Sequence, residues 1–488
     1  MGLRWTWALP TSSSPPAAWS ADRAPQQELA SSRRRGGWLA RAGCLALIGY
    51  CLLRVIVSGV LYPWKYYAGD FFASFPPPYV RHTNPTLFAN SDPWEKGRRY
   101  GYGPGQYLVM HPLTHINHPK TIARVLLPIY WLLIVLTAAA VYQQCWAAGW
   151  RLVPIAFFVL LWTHFVPLYD NLMQRNIELF ELALLVTAFG LVRSSGSAPS
   201  TARAGPRAGQ SLPARPSRAR WRAGLAGALT GLAALCKFRP LSMASYFLIK
   251  RQWVALLGLA VVVGGGLWLT DRLVGLDHFA YFNRRGVGAI TAWCDGAYWA
   301  GAATTVDVPQ AVVRWATGFD VCSATRPKLR AADPRTTSAW VVTIIGLLGG
   351  LTLLALLRCG ARPDAEALRF CLVLTAATVL LPHAHWYYDV YLLVPCSYLG
   401  GRVFRAWSRH RRVDRVVLIG GGLAWLLIGG GPVPLSVYGR LLRGCIGYSM
   451  SDAWVLLNLP TIGGLLLLAV LIRQGLTRSA DQPAVSPV

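Results

Sequence analysis

The chain has 488 residues, 54% of them hydrophobic and only 14% charged, with a mean hydropathy of +0.38; this excludes an ordinary soluble protein. The formal charge of +28 would suit nucleic acid in a soluble chain, but the arginines collect between apolar runs, as the positive-inside rule requires, and no nucleic-acid partner is expected. Apolar runs of roughly 18–22 residues, long enough to cross a hydrocarbon core, and the lack of a barrel's alternating segments predict an all-α polytopic membrane protein.

Residues 1–36, rich in Ser, Pro, Ala and Arg and ending in Arg33, Arg34 and Arg35, are expected to be a disordered basic cytoplasmic tail. The transmembrane domain spans 37–475, and its first span runs from Trp38 to about Tyr62. A first outer loop, 63–110, follows; its prolines and glycines rule out a long helix, and it carries one early acid, Asp70, among aromatics. The second span is Val125 to Trp146, the third Val153 to Tyr169, and the fourth Asn176 to Val192. Four crossings from an inside N-terminus return the chain to the cytoplasm, where the linker 193–222 is the most basic connection in the sequence.

Two short apolar segments, 223–236 and 241–249, are broken by Lys237 to Pro240 and predict a tilted or re-entrant hairpin with Lys237 and Arg239 at its outer tip. Further spans are expected at 254–270, 338–357, about 370–381, 390–404, 416–436 and 453–472, with a second outer loop at 271–336 and a cytoplasmic tail at 476–488. Inner turns lie at 358–369, with Arg, Asp and Glu, and at 405–415, strongly basic, and Leu381 to Asp389 falls outside. The total is about twelve membrane segments of roughly 20 residues or less.

Asp70, just past the outer end of the first span, suits a base that accepts a proton from a hydroxyl at the membrane surface; as an alternative it caps a short helix. Glu178 and Glu181 stand with Arg175 near one helical face inside a span, where charges face a cavity or one another; the alternative is Arg175 pairing with Glu178 to steady the bundle. Lys237 and Arg239 are cations where a lipid phosphate can rest, or they snorkel to the interface. His383, His385, Tyr387, Tyr388 and Asp389 line a polar pocket or form part of an aromatic belt. His111, His115 and His118 are spaced like a metal face, but Pro112 and Pro119 interrupt it and no carboxylate completes it, so no metal is expected. Cys294 and Cys322 share the second outer loop, where a disulfide is one option. No Walker loop or dinucleotide motif is present, so a glycosyl or phosphoryl donor would be a membrane lipid, and no cofactor is expected.

In order along the chain, Gly69-Asp70-Phe71, Tyr102-Gly103-Pro104, Gln174-Arg175-Asn176, Gly231 through Lys237 to Pro240, Lys250 to Trp253, and Pro382 through Tyr388 to Pro395 resemble the motif series of glycosyltransferase family 87. The likeness covers roughly residues 38–400; Met173 stands where the family has Gly, and Tyr388 where it often has His. The resemblance implies a GT-C-type bundle with long extracytoplasmic loops, in the cell membrane, with its active site on the extracytoplasmic face. It implies transfer of a hexose, mannose in the related enzymes, from a polyprenyl-phosphate donor lipid to a glycan or glycolipid acceptor, with inversion and without a metal. Asp70 would be the base, Lys237 and Arg239 would neutralise the leaving phosphate, and Tyr102, Gln174, Asn176, His383, His385 and Tyr388 would line the substrate site. Two rivals remain at this stage: a lipid or polysaccharide transporter or flippase, and a non-catalytic assembly partner in the membrane.

Overall fold

The computed structural model describes residues 23–61, 119–146, 151–196, 216–274, 306–316, 334–360, 364–381, 386–409, 411–429 and 458–477. Asp70, Tyr102, His383, His385, Cys294, Cys322 and the three histidines at 111, 115 and 118 lie outside them. The described residues form helices and short connections, with no strand among them.

Helix α1 (Arg23–Arg54) begins inside the stretch expected to be a disordered tail, where Gln26 to Arg35 has several good helix formers, and continues as a π-helix, Val55–Leu61. Trp131 on α2 (Pro119–Val141) donates to the Gly59 carbonyl at 2.9 Å, satisfying a backbone group of that widened turn. Among the described residues five helical stretches are long and apolar enough to cross a membrane: Trp38–Leu61, Arg124–Trp146, Trp253–Arg272, Thr336–Arg358 and Leu459–Leu476. These make the chain a membrane protein; the expected count of about twelve reaches beyond them.

The third span is not the continuous helix expected over Val153 to Tyr169. It runs as α3 (Leu152–Thr163), breaks at His164 and Phe165, and resumes as α4 (Val166–Gln174). Pro167, at the second position of α4, has no N–H to donate to the turn before it, so the helix restarts there. The Val166 N–H exposed by the break donates to the Gly429 carbonyl at 3.1 Å, just past another helix end. Each interruption therefore meets protein rather than hydrocarbon, the condition under which a broken backbone is tolerated at membrane depth.

α5 (Glu178–Gly196) and α6 (Pro216–Cys236) follow. The expected pair of short hairpin arms is unequal. The 21 residues of α6 reach about 30 Å, because the helix starts at Pro216 within the stretch read as linker. The return is a 3-10 turn, Arg239–Ser242, and a short α7 (Met243–Ile249), since Pro240 cannot continue an α-helix. α8 (Trp253–Val274) then packs along α6 through small residues. A Cβ at Gly227 would overlap the Ala255 carbonyl oxygen, and one at Gly231 would lie 2.9 Å from that of Leu259, so glycine is what permits this approach.

The remaining described α-helices are α9 (Val308–Ala316), α10 (Pro334–Arg358), α11 (Ala365–Leu380), α12 (Leu393–Ser408), α13 (Gly421–Ile428) and α14 (Leu459–Leu476). Ion pairs tie each of the two expected inner turns to a neighbouring segment. Lys250 and Arg369 meet Glu366 at 2.5 and 3.0 Å, Arg402 meets Asp364 at 2.6 Å, and Arg473 meets Asp414 at 2.7 Å. Partial burial alone would raise the Asp414 carboxyl, but hydrogen bonds from Arg473, the Val416 amide and Gln474 hold it below the ordinary carboxylate range. Above this polar end, Phe189 stacks on Phe370 with ring centres 4.4 Å apart, and Trp162 donates to the Ser397 hydroxyl at 3.0 Å, tying α3 to α12.

Candidate functional site

The residues expected at the opposite, outer end also come together. Glu178 and Glu181 are three apart on α5 and share a face. Tyr388 and Tyr391 are three apart on a 3-10 helix, Trp386–Leu392, where residues at that spacing eclipse one another. The two faces are matched. The Tyr391 hydroxyl donates to Glu181, and the Tyr388 hydroxyl meets Glu178 through one ammonium, that of Lys237.

Lys237 stands one residue past the end of α6, at the turn toward Pro240. Its Nζ pairs with the fully buried Glu178 carboxylate, donates to the Tyr388 hydroxyl at 2.9 Å, and lies 4.2 Å from the centre of that ring. The Arg239 guanidinium lies 4.6 Å from the same ring centre, and its Nη2 reaches the Leu381 carbonyl at 3.5 Å. Two unit charges so close, no more than about 9 Å apart, repel by roughly 2 kcal/mol or more at an effective dielectric of about 20. The Glu178 carboxylate and the electron-rich ring face offset that repulsion. The result is a fixed pair of cations where the sequence places the extracytoplasmic ends of three segments.

Below Arg239 a small apolar cleft of about 10 Å³ opens between α5, the 3-10 turn at 239–242 and α11, lined by Leu185, Pro240, Met243, Leu374 and Tyr391. One cation, that of Arg239, stands at the edge of its apolar wall.

Arg175 and Asn176 turn the chain from α4 into α5. Arg175 adopts a left-handed backbone with φ of 55° and is buried; its guanidinium donates to the Leu172 and Met173 carbonyls, and its own carbonyl accepts from the Tyr130 hydroxyl at 2.8 Å. Asn176 is buried beside it, and its Nδ2 meets no acceptor among the described residues. Of Gln174 only the backbone is described, at the last position of α4. Asp389, next to Tyr388, is buried with its Oδ2 meeting no donor among the described residues.

The structure therefore unites Lys237, Arg239 and Tyr388. Sequence reasoning left Glu178 facing a cavity or another charge, with pairing to Arg175 as the alternative; the structure pairs it with Lys237, 59 positions along the chain. The Glu181–Tyr391 bond went unforeseen, although the shared spacing of three on both segments is visible in the sequence. Among the described residues no group of three His, Cys, Asp or Glu side chains is placed to hold a metal ion.

The sequence profile of glycosyltransferase family 87 matches residues 100–382, more than half of the chain. No curated protein matches the sequence. Among solved structures, the archaeal oligosaccharyltransferase AglB from Archaeoglobus fulgidus, in complex with an inhibitory peptide and a dolichol-phosphate, is similar with a TM-score of 0.33 and 14% identity; the likeness covers 90% of this chain and 56% of that one. The chain thus spans little more than half the length of that protein. ArnT from Cupriavidus metallidurans bound to undecaprenyl phosphate is similar with a TM-score of 0.26 and 12% identity, over 90% of this chain and 77% of that one. Its apo form gives a TM-score of 0.28 and 15% identity, over 91% and 78%.

Proposed function

Because the chain belongs to glycosyltransferase family 87, we propose that it is a membrane-embedded hexosyltransferase. It moves a hexose, mannose by the family likeness, from a polyprenyl-phosphate donor to a lipid-linked or periplasmic acceptor, at the extracytoplasmic face of the cell membrane. The observation that carries this reading, beside the family, is the pair of cations held on the Tyr388 ring above an apolar groove. That is the chemistry a lipid phosphate requires: positive charge at the head and hydrocarbon contact for the first isoprene units.

In this scheme Asp70 takes the proton of the acceptor hydroxyl. That oxygen attacks the anomeric carbon from the face opposite the phosphate, and the bond from that carbon to the phosphate oxygen breaks with its electron pair. Polyprenyl phosphate leaves, and the single displacement inverts the anomeric centre. Negative charge grows on the departing phosphate, so fixed cations at 237 and 239 stabilise the transition state more than the ground state. Asn176, buried with a donor to spare, suits a sugar hydroxyl, as do Tyr102, Gln174, His383 and His385 in the same motif series.

The test is sugar transfer by purified protein in lipid vesicles, with radiolabelled polyprenyl-phosphate hexoses as donors and native membranes as the acceptor source. Wild type is compared with Asp70→Asn and Arg239→Ala. Loss of a single stabilising donor group costs about 10²–10³ in kcat in comparable sites, and that is the expected loss for Arg239→Ala. Robust transfer by Asp70→Asn removes Asp70 from the chemistry. Wild-type protein that transfers no hexose from any such donor refutes the reading.

A further inference from the structure

The two cations of the site are held in different ways. Lys237 is buried, and its ammonium is already engaged by Glu178 and by the Tyr388 hydroxyl. Arg239 is half-buried, lies against the same ring and lines the groove. Glu178 is therefore the root of a chain of contacts that runs from α5 through Lys237 and Tyr388 to Arg239. The second clasp, Tyr391 to Glu181, fixes the same 3-10 segment to the same helix face one turn further on.

We infer that Glu178 is a positioning residue for the transfer reaction: its carboxylate holds the Lys237 ammonium against Tyr388, and so sets where the Arg239 guanidinium stands over the groove. The inference rests on the function proposed above and adds a residue to it. It also reverses a simple electrostatic expectation. A carboxylate that is merely near a phosphate site repels the donor, so neutralising it would tighten donor binding. A carboxylate that positions the cations does the opposite, because a displacement of about 1 Å at a reacting centre can cost about 10²-fold in rate.

The experiment measures kcat and donor KM, per folded enzyme, for wild type, Glu178→Gln, Glu178→Asp and Tyr388→Phe, with the folded fraction of each taken from gel filtration in detergent. Tyr388→Phe keeps the ring and removes only the hydroxyl that meets Lys237, so it reports on the same chain of contacts should Glu178→Gln fold poorly. The expected result is a fall of about 10–100-fold in kcat/KM for Glu178→Gln, partial recovery in Glu178→Asp, and an intermediate loss in Tyr388→Phe. Tighter donor binding with unchanged kcat in Glu178→Gln overturns the inference, as does a lower folded yield with unchanged constants per folded molecule.

Binding of undecaprenyl phosphate alone is measured on the same proteins, which separates this inference from the function it rests on. If wild type binds the lipid but transfers no hexose, the transferase reading falls, and weaker binding by Glu178→Gln that Glu178→Asp restores still supports the positioning role. If Glu178→Gln binds the lipid as well as wild type, or wild type does not bind it at all, the positioning role falls.

Discussion

Substituting Gly227 by alanine tests whether the packing of α6 on α8 sets the position of the cations at the end of α6. The added methyl group would overlap the Ala255 carbonyl oxygen. Restoring an ordinary van der Waals separation of about 3.5 Å requires the two backbones to part by roughly 1.7 Å. Overpacking of this kind costs about 1–3 kcal/mol, and the better helix propensity of alanine offsets about 0.5–1 kcal/mol of it. Gly227→Ala is thus expected to lose up to about 2.5 kcal/mol net. Gly224→Ala on the same helix is the control, because its Cβ meets only Val254 Cγ1, at an ordinary 3.5 Å. With the clash absent, it should be neutral or gain up to about 1 kcal/mol. Lys237 lies about 15 Å further along the helix axis, so a parting of α6 from α8 also displaces the cations. Transfer by folded Gly227→Ala should fall, by as much as about 10²-fold, while Gly224→Ala keeps wild-type rates. Thermal unfolding followed by gel filtration in detergent reads the first effect, and the donor assay reads the second. A Gly227→Ala protein as stable and as active as Gly224→Ala would refute the argument.

Lys237→Met leaves the Glu178 carboxylate buried without this cation and should destabilise the protein by about 3–5 kcal/mol; the double variant Glu178→Gln, Lys237→Met should recover most of that stability without recovering transfer, as a two-residue unfolding cycle would show. Gly429, at φ 126°, lies where side chains are strained. Gly429→Ala should cost of order 1–3 kcal/mol and lower the unfolding temperature. Asp414 has a folded pKa below its unfolded value, so its contribution is fully present above the unfolded value near 3.8 and is lost as pH falls through the folded one. The acid side of the stability profile should therefore be flatter in Asp414→Asn, measured as unfolding temperature between neutral pH and about pH 3.

Hydrophobic length and the sign of the loops made the helical membrane class legible, because the bilayer imposes both on the sequence directly. Lys237 and Tyr388, both expected near the outer ends of their segments, are in contact in the fold. Partner choice was less legible. Sequence proximity favours Arg175 for Glu178, whereas the fold brings Lys237 from another helix, a long-range contact that periodicity does not encode. The break at His164 was hidden for a related reason: Pro167 alone permits either a kink or a restart, and the choice depends on the Gly429 carbonyl. The unequal hairpin followed from treating Arg218 to Arg222 as the end of a linker, although arginine is a good helix former.

The Tyr388 ring, with an ammonium 4.2 Å and a guanidinium 4.6 Å from its centre, is in effect a built-in field gauge. Charge against a π-face shifts the electron density of the ring, and an arriving anion that screens either cation would relax that shift. A single fluorine on this phenol would therefore report occupancy of the head-group position by its resonance frequency, without any turnover. Such a label could follow lipid arrival in the intact bilayer before an acceptor has been identified.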